Sequence, residues 1–444
     1  MRILVHSYFP PLHDHNSGGA QQFVGDLLHG LARREHTSIE VICPDPEGHP
    51  LADFGPAARI TPTLIEPTDD HLTPYERHWN AREVADAAQR SDVILSIDRG
   101  LPVEVDVPVV LTLNNFTYAT EVEAVFGLAW DEIIVPSRYL QDCVAAVVGE
   151  QAWTGPAPPV HLVPYGVDTD HYRPVDATSA RERLGLRNER QYVLFPHRPE
   201  PSKGLVAALA ALRSALEVNP DLHLLVPRPP LSVAAVRQAE QAFIDGVEQK
   251  AGEMGLSGHI TFHPWVAPSE MPSYYSLGAV CLAVGAFPET FGFTPVQAIA
   301  CGTPAVATPA GAVEGLLPPG HGLALVAFDD PYATAAALCT PPGQDEVAAG
   351  RREIRRLYPV AAAVDTYVTL LGSARRRRGR YRPAHGPLVE APWVRRQPDG
   401  RRWHDYWGGS ADGAKDENEG VRQRAGLDVP EYRVAGLPAT EVSP

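Results

Sequence analysis

The chain has 444 residues, 44% of them hydrophobic and 21% charged, with a formal net charge of −16. That length and apolar content suffice for two or three domains with their own cores. The acidic balance argues against general nucleic-acid binding and against non-specific attraction to an anionic membrane.

Met1-Arg2 runs straight into the apolar Ile3-Leu4-Val5 with no signal-peptide pattern, and no run reaches the ~18 apolar residues of a membrane span. A cytoplasmic protein without integral membrane contact is therefore expected. Residues 3–7 predict a buried strand, 10–19 a loop rich in His, Asp, Asn and Gly, 20–34 a helix, and 39–43 a second strand. The helix is marked by Phe23, Leu27, Leu28 and Leu31 at helical spacing. Strand, glycine-bearing loop, helix, strand is a βαβ unit, hence a parallel sheet. Further short β-branched runs at 93–97, 109–113 and 133–135 predict strands buried on both faces, with helices at 81–89 and 139–148 between them.

The second half repeats the scheme. Strands are predicted at 192–195, 222–226, 260–262, 280–284 and 305–307, with helices at 204–217 and 234–252. The expected organisation is α/β: an N-terminal Rossmann-like half over 1–172, a second over 173–372, and an extension over 373–444. That extension holds six arginines between Arg375 and Arg382, then Trp393, Trp403 and Trp407, and part of it has the composition of a disordered segment. Ligands of such sheets sit beyond the C-terminal ends of the strands. The five scattered cysteines form no CxxC pair, so neither a zinc site nor a redox motif is expected.

Two segments carry charge in places where a ligand would meet it. In the first, Pro288-Glu-Thr-Phe-Gly-Phe-Thr-Pro leads into a helix, with Thr294 as N-cap, Pro295 at the first helical position and Gly302 as the stop. Free amides at such a helix start bind an anion. Gly292 lets backbone approach it, and Glu289 just before it can hydrogen-bond a sugar hydroxyl. The second segment, Pro196-His-Arg-Pro-Glu-Pro-Ser-Lys-Gly204, places Arg198 and one of the chain's three lysines, Lys203, on one loop. Two cations on one loop can grip a diphosphate and stabilise its charge as it leaves.

Together these segments resemble the retaining GT-B glycosyltransferases of family 4. The shared features are Arg198, Lys203-Gly204, Glu289 followed by Ala298-Ile-Ala-Cys-Gly-Thr-Pro304, the turn Val163-Pro-Tyr-Gly-Val-Asp168, and the pair Gly18-Gly19. The resemblance covers roughly residues 1–370. It implies a cleft between two Rossmann-like domains and a nucleotide diphosphate sugar, such as a UDP- or GDP-sugar, as co-substrate, with no metal or other cofactor. It also implies sugar transfer to a hydroxyl of a small soluble acceptor with retained configuration. In its terms Gly18 and Gly19 approach the phosphates, Arg198 and Lys203 neutralise them, and Glu289 contacts the transferred sugar. Gly292, Phe293 and Thr294 bring backbone to the phosphate, while Val266 and Trp265 frame the base.

Three positions depart from the family pattern. Gln297 stands where a second glutamate usually holds the ribose, and Gln offers only neutral hydrogen bonds. Pro227-Arg-Pro-Pro230 replaces a glycine-rich turn, with Arg228 as a substitute charge. Asn114 and Asn115 end a strand that usually ends in histidine, and neither is a base at neutral pH. His15 and Asn16, in the first loop, complete the expected acceptor side. Two other readings stay open: a non-catalytic nucleotide-sugar-binding relative or regulatory partner, and an epimerase or phosphorylase on the same fold.

Overall fold

The computed structural model describes residues 1–377 except 8–9, 15–17, 45–49, 64–73, 99–100, 102–104, 115–129, 151–158, 199–200 and 229–233. The first half runs β1 (Arg2–Ser7), α1 (Gly19–Ala32), β2 (Ser38–Pro44), β3 (Ala58–Thr63), α2 (Pro74–Gln89), β4 (Val93–Ile97), β5 (Val109–Thr112), β6 (Glu132–Val135), α3 (Arg138–Glu150) and β7 (Val160–Leu162). The second runs α4 (Thr178–Arg183), β8 (Gln191–Leu194), α5 (Leu205–Leu216), β9 (Leu222–Pro227), α6 (Ala234–Glu253), β10 (Ile260–His263), α7 (Met271–Leu277) and β11 (Val280–Ala283). It continues through α8 (Phe293–Ala300), β12 (Ala305–Ala307), β13 (Leu323–Leu325), α9 (Pro331–Cys339), α10 (Gln344–Leu357) and α11 (Val360–Arg377).

The strands form two sheets, ordered β3-β2-β1-β4-β5-β6-β7 and β10-β9-β8-β11-β12-β13, and every pairing is parallel. These are two Rossmann-like domains, and each strand order reverses at one point, between β1 and β4 and between β8 and β11. In an open parallel sheet the loops diverge at such a point and leave a crevice. The runs Val93–Ile97 and Val109–Thr112 are buried at every position, as strands covered on both faces must be.

The core is three apolar clusters. One fills the outer face of the first sheet around Trp130, Ile133 and Val144, and one that of the second around Leu209, Leu212 and Val226. The third runs through both halves, from Phe23 and Leu27 past Tyr165 to Tyr275 and Ile299. The halves therefore share buried apolar surface.

α11 was expected to belong with the second half, since the boundary drawn from sequence lies at 372. It packs instead on the first sheet. Thr112 Oγ1 and Tyr367 Oη hydrogen-bond at 2.7 Å, Arg34 pairs with Asp365 at 2.6 Å, and a Cβ on Gly30 would lie 2.3 Å from Val364 Cγ2. Helix-to-helix contact that close needs glycine. The remaining residues of the extension, with its three tryptophans, lie outside the described residues.

Candidate functional site

The loop after β8 carries the expected cations. Lys203 closes a 3₁₀ turn, Pro201–Lys203, and Gly204 follows with φ +82°. A Cβ on Gly204 would meet the Val284 carbonyl oxygen at 2.5 Å, so only glycine fits both the left-handed backbone and the space. The Ser202 carbonyl accepts the amides of Ala286 and Phe287 at 3.0 and 3.2 Å. This lacing fixes the turn against the end of β11 and aims Lys203 into the crevice.

The loop after β11 answers it. Lys203 Nζ donates to Glu289 Oε1 at 2.7 Å and lies 4.3 Å from the centre of the Phe287 ring. The Glu289 backbone bridges to Gly311, whose φ of +64° and tight contact with the Glu289 main chain exclude a side chain. Burial pushes the Glu289 carboxyl up, but the charge and hydrogen bond of Lys203, with His197 and Arg198 beyond, outweigh it and hold the pKa below the usual range. Glu289 is thus an acceptor of hydrogen bonds at neutral pH and no general acid.

α8 begins at that loop, but two residues earlier than expected. Gly292, at φ +100°, is the N-cap; Phe293 is the first helical residue, and no side chain caps the end. Thr294 is not the cap and Pro295 is not first. The reason is local: the left-handed Gly292 packs against Leu316 and Val313. The consequence is that the amides of Phe293 and Thr294 lie in the uncapped first turn, where the helix dipole favours an anion. Gly302, at φ +91°, ends the helix as expected.

A cavity of about 490 Å³ lies between the two halves. Arg198, Lys203, Val266, Trp265, Glu289, Gly292, Phe293, Thr294 and Gln297 line it from the second half, and Gly18, Gly19 and Asn114 from the first. The structure therefore brings all described candidates except Arg228 to one place. His15, Asn16 and Asn115 lie outside the described residues.

The first-half wall is built differently. Asn114 is 2% exposed. Its amide nitrogen donates to Asp98 Oδ2 at 2.6 Å, and its amide oxygen accepts from Tyr165 Oη. Asp98 itself is buried at the end of β4 with φ +56°, an uncommon conformation for a side-chain-bearing residue. Tyr165 stacks on Phe23 at 4.1 Å and on Phe293 at 5.4 Å. Phe293 in turn presses on Gly19, where a Cβ would lie 2.4 Å from its ring. Gly19 is thus required by a ring of the protein itself, while Gly18 has extended backbone, φ −177°, and open space.

Gln297 is 5% exposed. It donates to Gln22 Oε1 at 2.9 Å across the crevice and accepts from Tyr275 Oη at 3.2 Å. Arg228 turns away: it pairs with Glu248 at 2.9 Å, lies over Phe262 and is not part of the cavity wall. Two further links cross the crevice. Asp14 accepts from Ser269 backbone and hydroxyl at 2.9 and 2.7 Å, and Thr290 Oγ1 donates to the Asn114 carbonyl at 2.6 Å.

Sequence reasoning gave no role to His197, Asp98, Tyr165 or Gln22. His197 stood inside the cation motif and Tyr165 inside the Val163–Asp168 turn, and both were passed over; Asp98 and Gln22 belong to no local pattern. His197 lines the cavity beside Lys203 and Glu289. Burial, then the Lys203 charge, lowers its pKa to about 4, so the imidazole is neutral at physiological pH.

Two family models match the chain in series. One, described as Glycosyltransferase Family 4, covers 17–171; the other, described as Glycosyl transferases group 1, covers 176–339. The first half is thus similar to a family 4 glycosyltransferase domain and the second to a group 1 glycosyltransferase domain. Similar curated proteins include a D-inositol 3-phosphate glycosyltransferase of Segniliparus rotundus, 33% identical over 34% of this chain and 32% of its own. One of the same description from Rhodococcus jostii is 30% identical over 52% of this chain and 51% of its own. The chain thus spans a third to a half of these glycosyltransferases. Solved structures agree on the fold, which is GT-B. Sucrose-phosphate synthase from Thermosynechococcus elongatus superposes with a TM-score of 0.66 at 20% identity, over 84% of this chain and 98% of its own. HepE from Anabaena, solved with UDP-glucose, gives 0.63 at 18%, over 84% of this chain and 100% of its own.

Proposed function

We propose that the chain moves a sugar from a nucleotide diphosphate sugar to a hydroxyl of a small acceptor, with the anomeric configuration retained and without a metal. The observation that carries this reading is the Lys203–Glu289 pair, 2.7 Å apart, set between Arg198 and the uncapped start of α8 in the interdomain crevice. Cations and helix amides suit a diphosphate; an ionised carboxylate beside them suits the hydroxyls of the sugar attached to it. The name shared by the curated relatives adds a phosphorylated polyol as an acceptor class consistent with the site.

In this reading Arg198, Lys203 and the amides of Phe293 and Thr294 share the negative charge that grows as the bond from the anomeric carbon to the phosphate oxygen breaks. The acceptor oxygen forms its bond to that carbon on the same face, and its proton passes to the departing phosphate oxygen. No histidine base is then needed at Asn114. Positioning of the two substrates supplies much of the remainder. Glu289 orients the sugar and restrains Lys203, which it releases in part to the diphosphate.

A second reading, a nucleotide-sugar-binding protein without turnover, draws on Gln297 and Phe293, since both are engaged across the crevice by Gln22 and Gly19. One experiment separates the two. The protein is incubated with UDP- and GDP-sugars and candidate acceptors, and release of the nucleoside diphosphate is followed. Binding without release for any pair would overturn the transferase reading.

A further inference from the structure

His197 is one residue before Arg198, at the mouth of the cation loop, yet its ring is buried and hydrogen-bonded on one side only, to the Leu282 backbone. Its Nε2 is buried and has no hydrogen-bond partner among the described residues. The ring packs edge-on against Phe195, 5.1 Å between centres, and it senses the charges of both Lys203 and Glu289. A buried polar atom left unmade costs about 1–3 kcal/mol, and this one borders the cavity. It is therefore an opening for a ligand atom.

The neighbours narrow the kind of atom. Lys203 is committed to Glu289 at 2.7 Å and the His197 ring makes its other hydrogen bond to the Leu282 backbone, so Nε2 is the atom of this trio left without a partner among the described residues. A phosphate oxygen only accepts, and would need the proton on Nε2. A hydroxyl both donates and accepts, so it suits either tautomer of a neutral ring. The carboxylate of Glu289 nearby disfavours a second anion and favours a polyol.

We propose that His197 Nε2 holds one hydroxyl of the sugar being transferred and so selects which hydroxyl pattern the donor carries. This rests on the donor reading above. Glu289 and His197 then grip the sugar from two sides, one as an anion that only accepts, the other as a neutral group that completes the pattern.

The test uses the full chain and calorimetric binding of UDP, UDP-glucose, GDP and GDP-mannose, with the monodeoxy analogues of both sugars. In the wild type, one deoxy analogue binds about tenfold or more weakly than its parent, because it leaves a buried polar group unmade. His197→Ala abolishes that discrimination, leaving parent and analogue within about twofold, and leaves UDP and GDP affinity unchanged; His197→Gln retains part of it. If His197→Ala is unstable, His197→Gln alone decides: discrimination must shift between deoxy positions or shrink. Unchanged discrimination at every position in both variants would overturn the proposal. So would an equal loss for free nucleoside diphosphate and nucleotide sugar, which would make His197 a phosphate ligand. If the wild type binds none of these compounds, the donor reading itself fails, a result distinct from either.

Discussion

The two walls of the crevice are made by the same kind of strand ends, but they differ in what they leave unmet. On the second-half wall, glycines forced by geometry hold the charged side chains of Lys203 and Glu289 beside an uncapped helix. On the first-half wall, Asp98, Asn114 and Tyr165 spend their polar atoms on one another. The first kind of surface presents fixed charge to a ligand; the second presents shape and a few residual hydrogen bonds. Donor chemistry needs the former, because charge develops on the leaving group. An acceptor hydroxyl needs only to be placed.

Four substitutions break or sharpen that contrast. Lys203→Ala and Glu289→Ala are expected to lower kcat/KM by about 10²–10³-fold while circular dichroism stays native; rates near wild type would remove the charged wall from the chemistry. Gly204→Ala is next. Its Cβ meets backbone atoms that cannot rotate away, Val284 O at 2.5 Å, and it also sits in left-handed backbone, so a loss of roughly 2–4 kcal/mol in denaturant unfolding is expected. Gly18→Ala, on the opposite wall with extended backbone and open space, is expected within about 0.5 kcal/mol of wild type. Equal losses at both glycines would erase the difference between the walls.

A fifth substitution concerns Asp26 on α1. Burial, then the charge of Asp168, raises its pKa to about 7, and its Oδ2 is buried with no partner among the described residues. The native state keeps this proton where the unfolded chain, near 3.8, has lost it. The stabilisation is complete below that value and is lost as pH rises through about 7. Asp26→Asn is therefore expected to raise Tm at pH 8, by the equivalent of roughly 1–3 kcal/mol, and to change little at pH 4; the opposite trend would show that Asp26 is charged in the fold. The smallest effect belongs to Arg228→Ala. Its exposed pair with Glu248 is worth less than about 1 kcal/mol, and turnover should stay within twofold, since it faces away from the cavity.

The sheets were legible because fully buried parallel strands leave continuous apolar runs, as at 93–97 and 109–112. β3 and β13 were not read: Ala58–Thr63 is an edge strand containing Pro62, and Leu323–Leu325 is three residues long, so neither leaves such a run. The donor wall was legible for a related reason. Its residues come in two contiguous segments, and each segment is one loop. The first-half wall was legible only at Gly18, Gly19 and Asn114, because Asp98 and Tyr165 join Asn114 by tertiary contact across 67 residues of chain. Thr294 looked like a cap because its hydroxyl suits that role; the left-handed Gly292 took it through packing that no local pattern reports. α11 was assigned by its neighbours in sequence, and only the glycine at position 30 hinted at a partner helix in the other half.

That return of α11 has a mechanical result. The chain passes between the halves twice, and the two passages touch: Val167 N donates to the Tyr358 carbonyl at 2.8 Å, and Gly166 abuts the Val360 backbone. Two adjacent passages act as one pivot, so the halves swing about a single line and do not slide apart. The Asp14–Ser269, Gln22–Gln297 and Thr290–Asn114 bonds lie across the gap and must break for the halves to part. Entry of a substrate is then a question of how easily these four hydrogen bonds exchange with water, and the pivot sets the direction in which they part.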